Sequence, residues 1–382
     1  MAGSLTVAER RSEVSKWLRT SLPKGWVEKI DSGRSPGSTH GYDDFDEEAW
    51  LADLFDRRYL VAEWPVEYGG LAWDRESVLM AFEELSRYEV PLPLYVTSQL
   101  LAGAGLLQHG TPAQRDRFLP NIASAEEIWT QLFSEPEAGS DLAALRTKAV
   151  ADGDHWVVSG QKVWSTCAHF APWGLLLART GAADSRNRGI TCFILDMKGE
   201  GVDVRPLRQL TGDASFNEVF LDGAVIDDSL RLGPVNEGWS VARSILEAER
   251  GELGQRRVGG VDIHWLIDRH SGTTDSVVRQ QLARAYTLEQ LVRWMAWRGY
   301  GRGNGAQVAK LLRAESNMDL QRLAFDLEGM RAAAYADGDR EAMDVEYGLL
   351  RSRANSIGGG TSEIMRNVIG ERVLGLPREP RP

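Results

Sequence analysis

The sequence predicts an α+β chain, with an all-α domain first, an all-β domain in the middle and a bundle of long helices last. Three observations predict it. The first third carries helical spacing and helix-start signals. From Trp129 to about Leu232 the chain breaks into short apolar segments divided by turn residues. From Gly238 onward helical spacing returns in long runs. The division expected from these changes is 1–128, 129–233 and 234–382.

A length of 382 residues suits two or three domains and a large core. Apolar residues at 43% and charged residues at 26% are an ordinary globular balance. A net charge of −11 argues against a nucleic-acid surface. Two cysteines, Cys167 and Cys192, give no disulfide framework and fit a reducing compartment. No apolar run reaches the length of a membrane span. The N-terminus has no signal-peptide core, and its early Glu9 and Glu13 disfavour a presequence, so a cytoplasmic location is expected.

The elements follow in order. Thr6-Val7-Ala8-Glu9 has the spacing of a capping box and starts the first helix. Residues 31–41, rich in Gly, Ser and Pro, read as a loop. Residues 46–58 and 77–88 have amphipathic helical spacing. Thr111-Pro112-Ala113-Gln114 is a second capping box, with its helix expected to stop before Pro120. Strands are expected at 155–159, 174–179, 190–196 and 218–221, with Asp152-Gly153-Asp154 as a hairpin turn. Helices are expected over 276–298, 306–330 and 344–373. The glycines between 299 and 305 follow a helix rather than a strand, so they read as a loop and not as a nucleotide fingerprint.

Four segments could carry chemistry. In Phe133-Ser134-Glu135-Pro136-Glu137-Ala138-Gly139-Ser140-Asp141, small residues with free backbone N–H groups suit an anion, although a plain polar turn fits as well. Trp164 and Thr166 share a strand face, which offers an aromatic surface beside a hydroxyl; a core tryptophan is the alternative. On a helix through Arg250, residues Trp239, Ala242, Leu246, Glu249 and Leu253 fall on one stripe. Glu249 interrupts that apolar stripe, whereas Glu247 falls with Ser240, Ser244 and Gly251 and should be solvated. A buried carboxylate is costly unless paired or neutral, and desolvation raises its pKa toward that of a general base. Arg250 could tune it, or the two could form a structural pair. Finally, Gly358-Gly359-Gly360 permits close backbone approach, and Thr361 can cap a helix whose N-terminus suits an anion; a tight interhelical turn is the alternative. The six histidines have no metal-ligand spacing, and neither a P-loop nor a G-x-S-x-G elbow occurs.

Taken in order, these segments resemble the acyl-CoA dehydrogenase family over nearly the whole chain. Glu63-Trp64-Pro65-Val66-Glu67-Tyr68-Gly69-Gly70 is similar to its early helical signature. Residues 133–141, 162–166, Arg188-Gly189-Ile190 and 359–364 are similar to its later ones. The resemblance implies a helical domain, a β domain and a C-terminal four-helix bundle, with FAD between the β domain and the bundle. It implies flavin or pyrophosphate contacts from Phe133, Ser134 and Ser140, a ring contact from Trp164 and Thr166, and a further FAD contact from Thr361 and Glu363. Ser140, Arg250 and Gly360 match positions near the thioester. The implied reaction removes the α-proton of an acyl-CoA and passes the β-hydrogen as hydride to the flavin, which is the electron sink. An electron-transfer flavoprotein is the implied acceptor.

Two departures from the family pattern stand out. Many members carry the base just before the Gly-Thr of the C-terminal motif, where this chain has Gly359. A smaller group, including isovaleryl and long-chain enzymes, carries it on the first bundle helix, where this chain has Glu249. The resemblance and the stripe therefore select the same residue as base. Second, family subunits lend a neighbour's FAD an Arg-x-x-Phe-Gly segment and a Gln-x-x-Gly-Gly segment. Here no Phe-Gly occurs, the first stretch is 268–285, and the second reads Asp326-Leu327-Glu328-Gly329-Met330. That implies a heteromer, an α2β2 assembly with a related chain, as in actinobacterial enzymes acting on steroid side chains. Glycine at 359 leaves room for a bulky or branched acyl group. A non-catalytic subunit that completes a partner's site is the rival from another class, and the retention of Trp164, Thr166 and Glu249 argues against it. An oxidase on the same fold is the other.

Overall fold

In a computed structural model of the chain, the described residues are 5–32, 36, 42, 43, 45–250, 260–297, 305–335 and 338–378, with side chains described at all of these except 183, 247–250, 296 and 297. The first helices are α1 (Val7–Ser21), α2 (Lys24–Asp31), α3 (Glu47–Asp56), α4 (Arg75–Arg87), α5 (Tyr95–His109) and α6 (Pro112–Ala123). Strands follow as β1 (Trp129–Leu132), β2 (Lys148–Asp152), β3 (His155–Thr166), β4 (Trp173–Arg179), β5 (Ile190–Asp196), β6 (Val202–Leu207), β7 (Phe216–Asp227) and β8 (Arg231–Leu232). The remaining helices are α7 (Gly238–Arg250), α8 (Ile263–Arg269), α9 (Ser276–Trp297), α10 (Gly305–Glu328), α11 (Met330–Ala333), α12 (Arg340–Ser352) and α13 (Ser362–Val368). The chain divides into two units, residues 1–23 with 44–248 and residues 24–43 with 249–382.

In the first unit, helix α1 starts where the sequence says. The Thr6 hydroxyl accepts from Glu9 N, and the Glu9 carboxylate accepts from Thr6 N at 2.7 Å, which satisfies two of the helix's orphan donors. Helix α6 starts on the same device at Thr111, but it runs through Pro120 to Ala123. The expected stop before Pro120 is therefore corrected. Proline removes one N–H near the helix end, and burial of Phe118, Leu119, Ile122 and Ala123 outweighs that loss. Trp17 stacks on Trp50 with ring centroids 5.3 Å apart and donates to Asp53, which ties α1 to α3.

The strands form one mixed sheet, ordered β6-β7-β3-β2-β4-β5-β8, with β1 parallel to β4. The Asp152↔His155 pairing confirms the hairpin at Gly153-Asp154. Strands β4 and β5 bury almost every residue, as their unbroken apolar runs require. Leu132, Val158, Leu176, Phe193 and Leu221 build the sheet's core. On the other face of β1, Trp129 and Trp173 pack against Phe118 of α6.

In the second unit, α10 packs along α9, α12 and α13. Gln321 on α10 is fully buried, and its amide accepts from Val261 N at 3.0 Å and donates to Val261 O at 2.7 Å. Gly260 and Gly348 make that crossing possible: a Cβ on Gly348 would lie 2.6 Å from the Gly260 Cα and 2.3 Å from Gln321 Oε1. The helix expected over 344–373 is interrupted. It is α12, a tight turn over Arg353–Ser356, the glycines at 358–360, then α13 and a wide final turn over Ile369–Val373. Much of the loop expected at 31–41 and of the glycine loop at 299–305 lies outside the described residues.

Candidate active site

Strand β1 delivers Phe133 and Ser134, and β3 delivers Trp164 and Thr166. The two stretches are fastened together. Val163 N donates to Ser134 O at 2.9 Å, and Lys162 Nζ donates to Phe133 O at 3.1 Å. Lys162 is 0% exposed and also bonds the Glu135 carboxylate at 2.8 Å. That carboxylate accepts in addition from Arg146 N at 2.6 Å and Thr147 N at 2.9 Å. Burial pushes the Glu135 carboxyl up, but the Lys162 ammonium and these hydrogen bonds outweigh it and hold it below its ordinary value. Burial pulls the Lys162 ammonium down to about 8 against the attraction of Glu135.

Strand β3 is not regular at this point. Three steps on it, from Lys162 to Ser165, match two on β7, from Val219 to Asn217, so one residue is extra. Trp164 sits in that bulge with φ +62°. A left-handed backbone is uncommon for a bulky residue and marks stored strain. Its indole is 56% exposed, so the alternative of a core tryptophan does not hold. Ser165 points inward and Thr166 returns to the face of Trp164. Beyond the bulge, Asn217 Nδ2 donates to Ser165 O at 3.1 Å and Thr130 Oγ1 donates to Thr166 O at 2.8 Å. Among the described residues, the hydroxyls of Ser134, Ser140 and Thr166 have no hydrogen-bond partner.

Glu135 and Ala138 exchange backbone hydrogen bonds of 3.2 and 3.0 Å, which makes a tight turn of Pro136-Glu137. Gly139 and Ser140 follow it and are exposed, and a Cβ on Gly139 would meet nothing within 4 Å. Asp141 pairs with Arg186 at 2.8 Å. The buried Arg179 donates to the carbonyls of Ala143, Leu145 and Arg186, holding the two neighbouring loops. An exposed aromatic face, an unpartnered hydroxyl next to it and an open glycine-serine turn fit a flat ring and a phosphate-bearing group.

Helix α7 buries Gly238, Val241, Ala242 and Ile245, with Trp239 and Leu246 half-buried. The buried stripe is thus turned by about one residue from the one expected, because Gly238 lies against Thr191 and Cys192 of β5. Position 249 follows Ile245 by four residues and Ala242 by seven, the same helical spacing. The side chains of Glu247, Glu249 and Arg250, and Leu253 with its backbone, lie outside the described residues.

Thr361 and Glu363 belong to the second unit. The Thr361 hydroxyl caps α13 by accepting from Ile364 N at 3.2 Å. Glu363 is exposed and 3.8 Å from Arg366. Gly359 and Gly360 have φ +67° and +99°, and Lys310 donates to the Gly360 and Asn355 carbonyls, which fixes the turn. It is the interhelical turn the sequence allowed, and a helix start as well. The two expected donor stretches meet through side chains: the Arg269 guanidinium pairs with the Glu328 carboxylate, and Arg331 pairs with Glu328 at 2.7 Å and with Asp339 at 2.7 Å.

The sequence reading missed the Glu135–Lys162 pair and Asn217. A signal existed: Lys162 has the inward parity of Trp156 and Val158 on β3, so an acid was needed opposite it. Cys167 is buried, and burial pushes its thiol up to about 11. Among the described residues no cluster of His, Cys, Asp or Glu could hold a metal ion.

Models of the acyl-CoA dehydrogenase N-terminal, middle and C-terminal domains match residues 13–126, 130–224 and 236–374. The chain belongs to the acyl-CoA dehydrogenase family. It is therefore an oxidoreductase acting on acyl-CoA, in a family of FAD-dependent flavoproteins. Acyl-CoA dehydrogenase IpdE1 of Mycobacterium tuberculosis is 37% identical, covering 98% of this chain and 99% of its own. Acyl-CoA dehydrogenase FadE34 of the same organism is 38% identical over 87% of this chain and 47% of its own. Among solved structures, the Tcur3481-Tcur3483 steroid acyl-CoA dehydrogenase superposes with a TM-score of 0.78 at 26% identity over 98% of both chains. The ChsE4-ChsE5 complex from Mycobacterium tuberculosis does so at 0.76 and 26%, over 99% of this chain and 100% of the other. Among the described residues no helix is long and apolar enough to cross a membrane.

Proposed function

We propose that this chain carries out the FAD-dependent α,β-dehydrogenation of a bulky or branched acyl-CoA, with Glu249 as the base. The observation that carries the reading is the exposed indole of Trp164, raised on a bulge beside the unpartnered Thr166 hydroxyl. When bound, the flavin supplies the hydride acceptor. Trp164 and Thr166 would hold its ring, with Phe133 and Ser134 alongside. Ser140 and the open turn at Gly139 would receive its pyrophosphate, and Thr361 and Glu363 would supply the C-terminal contact. Glu249 takes the α-proton onto its carboxylate, while Ser140, Arg250 and Gly360 place the thioester. The backbone supports Glu249 over position 359: a glutamate in the left-handed conformation of Gly359 would cost about 1–2 kcal/mol.

The chain's share in a heteromer is the second part of the proposal. Arg269 and Glu328, one from each expected donor stretch, are spent on each other, and Glu328 also pairs with Arg331. Such a chain accepts FAD contacts but has little to lend, which favours an α2β2 assembly with a related chain. The superposed structures named for pairs of chains agree with this, and one is named a steroid enzyme, which favours a steroid-derived acyl group. Electrons would leave to an electron-transfer flavoprotein.

The test is to purify the chain alone and co-expressed with a related chain, then measure solution mass, bound flavin and dye reduction with fused-ring acyl-CoAs. A flavin-poor chain rescued by co-expression, reducing dye without consuming oxygen, is expected. A yellow, active homotetramer would overturn the heteromer, and oxygen consumption in place of dye reduction would favour the oxidase.

A further inference from the structure

We infer that Lys162 is a positioning residue: its grip on Phe133 and Glu135 sets the backbone at Trp164 on which the flavin ring would rest. This builds on the flavin reading of Trp164 and Thr166 given above. The geometry is a set of successive ties. Lys162 Nζ holds the Phe133 carbonyl at 3.1 Å, Val163 N holds the Ser134 carbonyl at 2.9 Å, and Lys162 Nζ holds the Glu135 carboxylate at 2.8 Å. Three consecutive residues after β1 are thereby locked to two consecutive residues of β3. The very next residue is Trp164, with φ +62°. Beyond it, Asn217 and Thr130 hold the carbonyls of Ser165 and Thr166. The extra residue of the bulge is thus bracketed on both sides by buried side chains.

A second reach comes through Glu135. Its carboxylate accepts from Arg146 N and Thr147 N, so the same pair closes the loop of residues 136–145 that contains Gly139 and Ser140. One buried ammonium therefore fixes the ring surface and the turn offered to the pyrophosphate relative to each other.

Stability alone does not account for the pair. Lys162 is 0% exposed and Glu135 8%. Exchanging a buried ion pair for apolar residues of similar volume is often neutral or stabilising, whereas removing one partner leaves a costly bare charge. A pair that contributes little net stability but orders two ligand-facing segments behaves as support for a site.

The experiment uses the holoenzyme, with its partner chain if flavin uptake requires one, and compares wild type, Lys162→Met and Glu135→Leu/Lys162→Met. Melting temperature without flavin reports the fold. FAD affinity and the quenching of flavin fluorescence by the indole report the site. The single variant should lose both stability and flavin. The double variant should regain much of the lost melting temperature, short of wild type because Arg146 N and Thr147 N lose their acceptor, yet bind FAD about tenfold or more weakly, with quenching reduced. Wild-type affinity and quenching in the double variant would overturn the inference. Should the double variant not fold, Glu135→Gln/Lys162→Gln, which keeps hydrogen-bonding groups at both positions and leaves no bare charge, carries the comparison. Weakened FAD binding at unchanged melting temperature is then expected, and unchanged binding overturns it. If neither folds, the pair serves the fold and the inference is wrong. A wild-type holoenzyme that takes up no FAD would sink the flavin reading itself, and this inference with it.

Discussion

Single residues decide more here than their size suggests. Trp164 is exposed on an irregular stretch of β3, so its replacement should leave the core alone. Trp164→Ala is expected to melt with wild type yet bind FAD roughly two- to tenfold more weakly, the worth of one aromatic contact. A flavin fluorescence titration reads that directly. Gly348 is the opposite case. With a Cβ 2.6 Å from the Gly260 Cα, Gly348→Ala has to push apart the Val261–Gln321 latch. Urea unfolding should show a loss of about 1–3 kcal/mol. At this scale the sequence was partly legible. The pairing of Trp164 with Thr166 on β3 was readable from their spacing, and the exposure of Trp164 agrees with a ligand-facing surface; the flavin roles of Phe133, Ser134, Trp164 and Thr166 rest on the resemblance. Gly348 and Gln321 were not readable, since their meeting depends on which helices cross, and no local pattern carries that.

Elements were more legible than contacts. The capping boxes at Thr6 and Thr111 and the hairpin at Gly153 were readable because each is closed by atoms within four residues. The stop at Pro120 was misread because a local rule met tertiary burial. The bulge in β3 was invisible because alternation in the sequence assumes regular pairing. Element ends also carry charge. Asp228, after β7, accepts from Arg231 at 2.8 Å and from Trp156 Nε1 at 2.7 Å. Arg231, then the Trp156 indole, hold its carboxyl down from 3.8 to about 2. The folded pKa lies below the unfolded one, so this contribution is complete above about pH 4 and disappears as pH falls toward 2. Asp228→Asn should therefore flatten the fall in urea midpoint between pH 5 and pH 2.5, and a slope identical to wild type would exclude Asp228 as a cause. Its side chain is partly exposed, so salt should reduce the effect.

For the whole molecule, the family was legible from the joint order of segments none of which is specific alone. The substrate was not legible, because an acyl pocket is made by absent bulk as much as by present groups. The departures from the family pattern are coherent with one another. The C-terminal glutamate position has become a left-handed glycine, and an acid stands instead at 249 on α7. The stretches that would serve a neighbour's FAD are tied into their own network around Glu328. Together they favour the proposal that the chain keeps the chemistry and takes part of its cofactor site from a different chain. The most direct measurement is anaerobic mixing of the flavin-loaded complex with a fused-ring acyl-CoA, following the flavin's visible absorbance in wild type and Glu249→Gln. Bleaching within a turnover in wild type, slowed about 10²–10⁴-fold in a variant that still folds and holds flavin, is the result expected of a general base. Equal bleaching rates in the two would contradict it and place the base elsewhere.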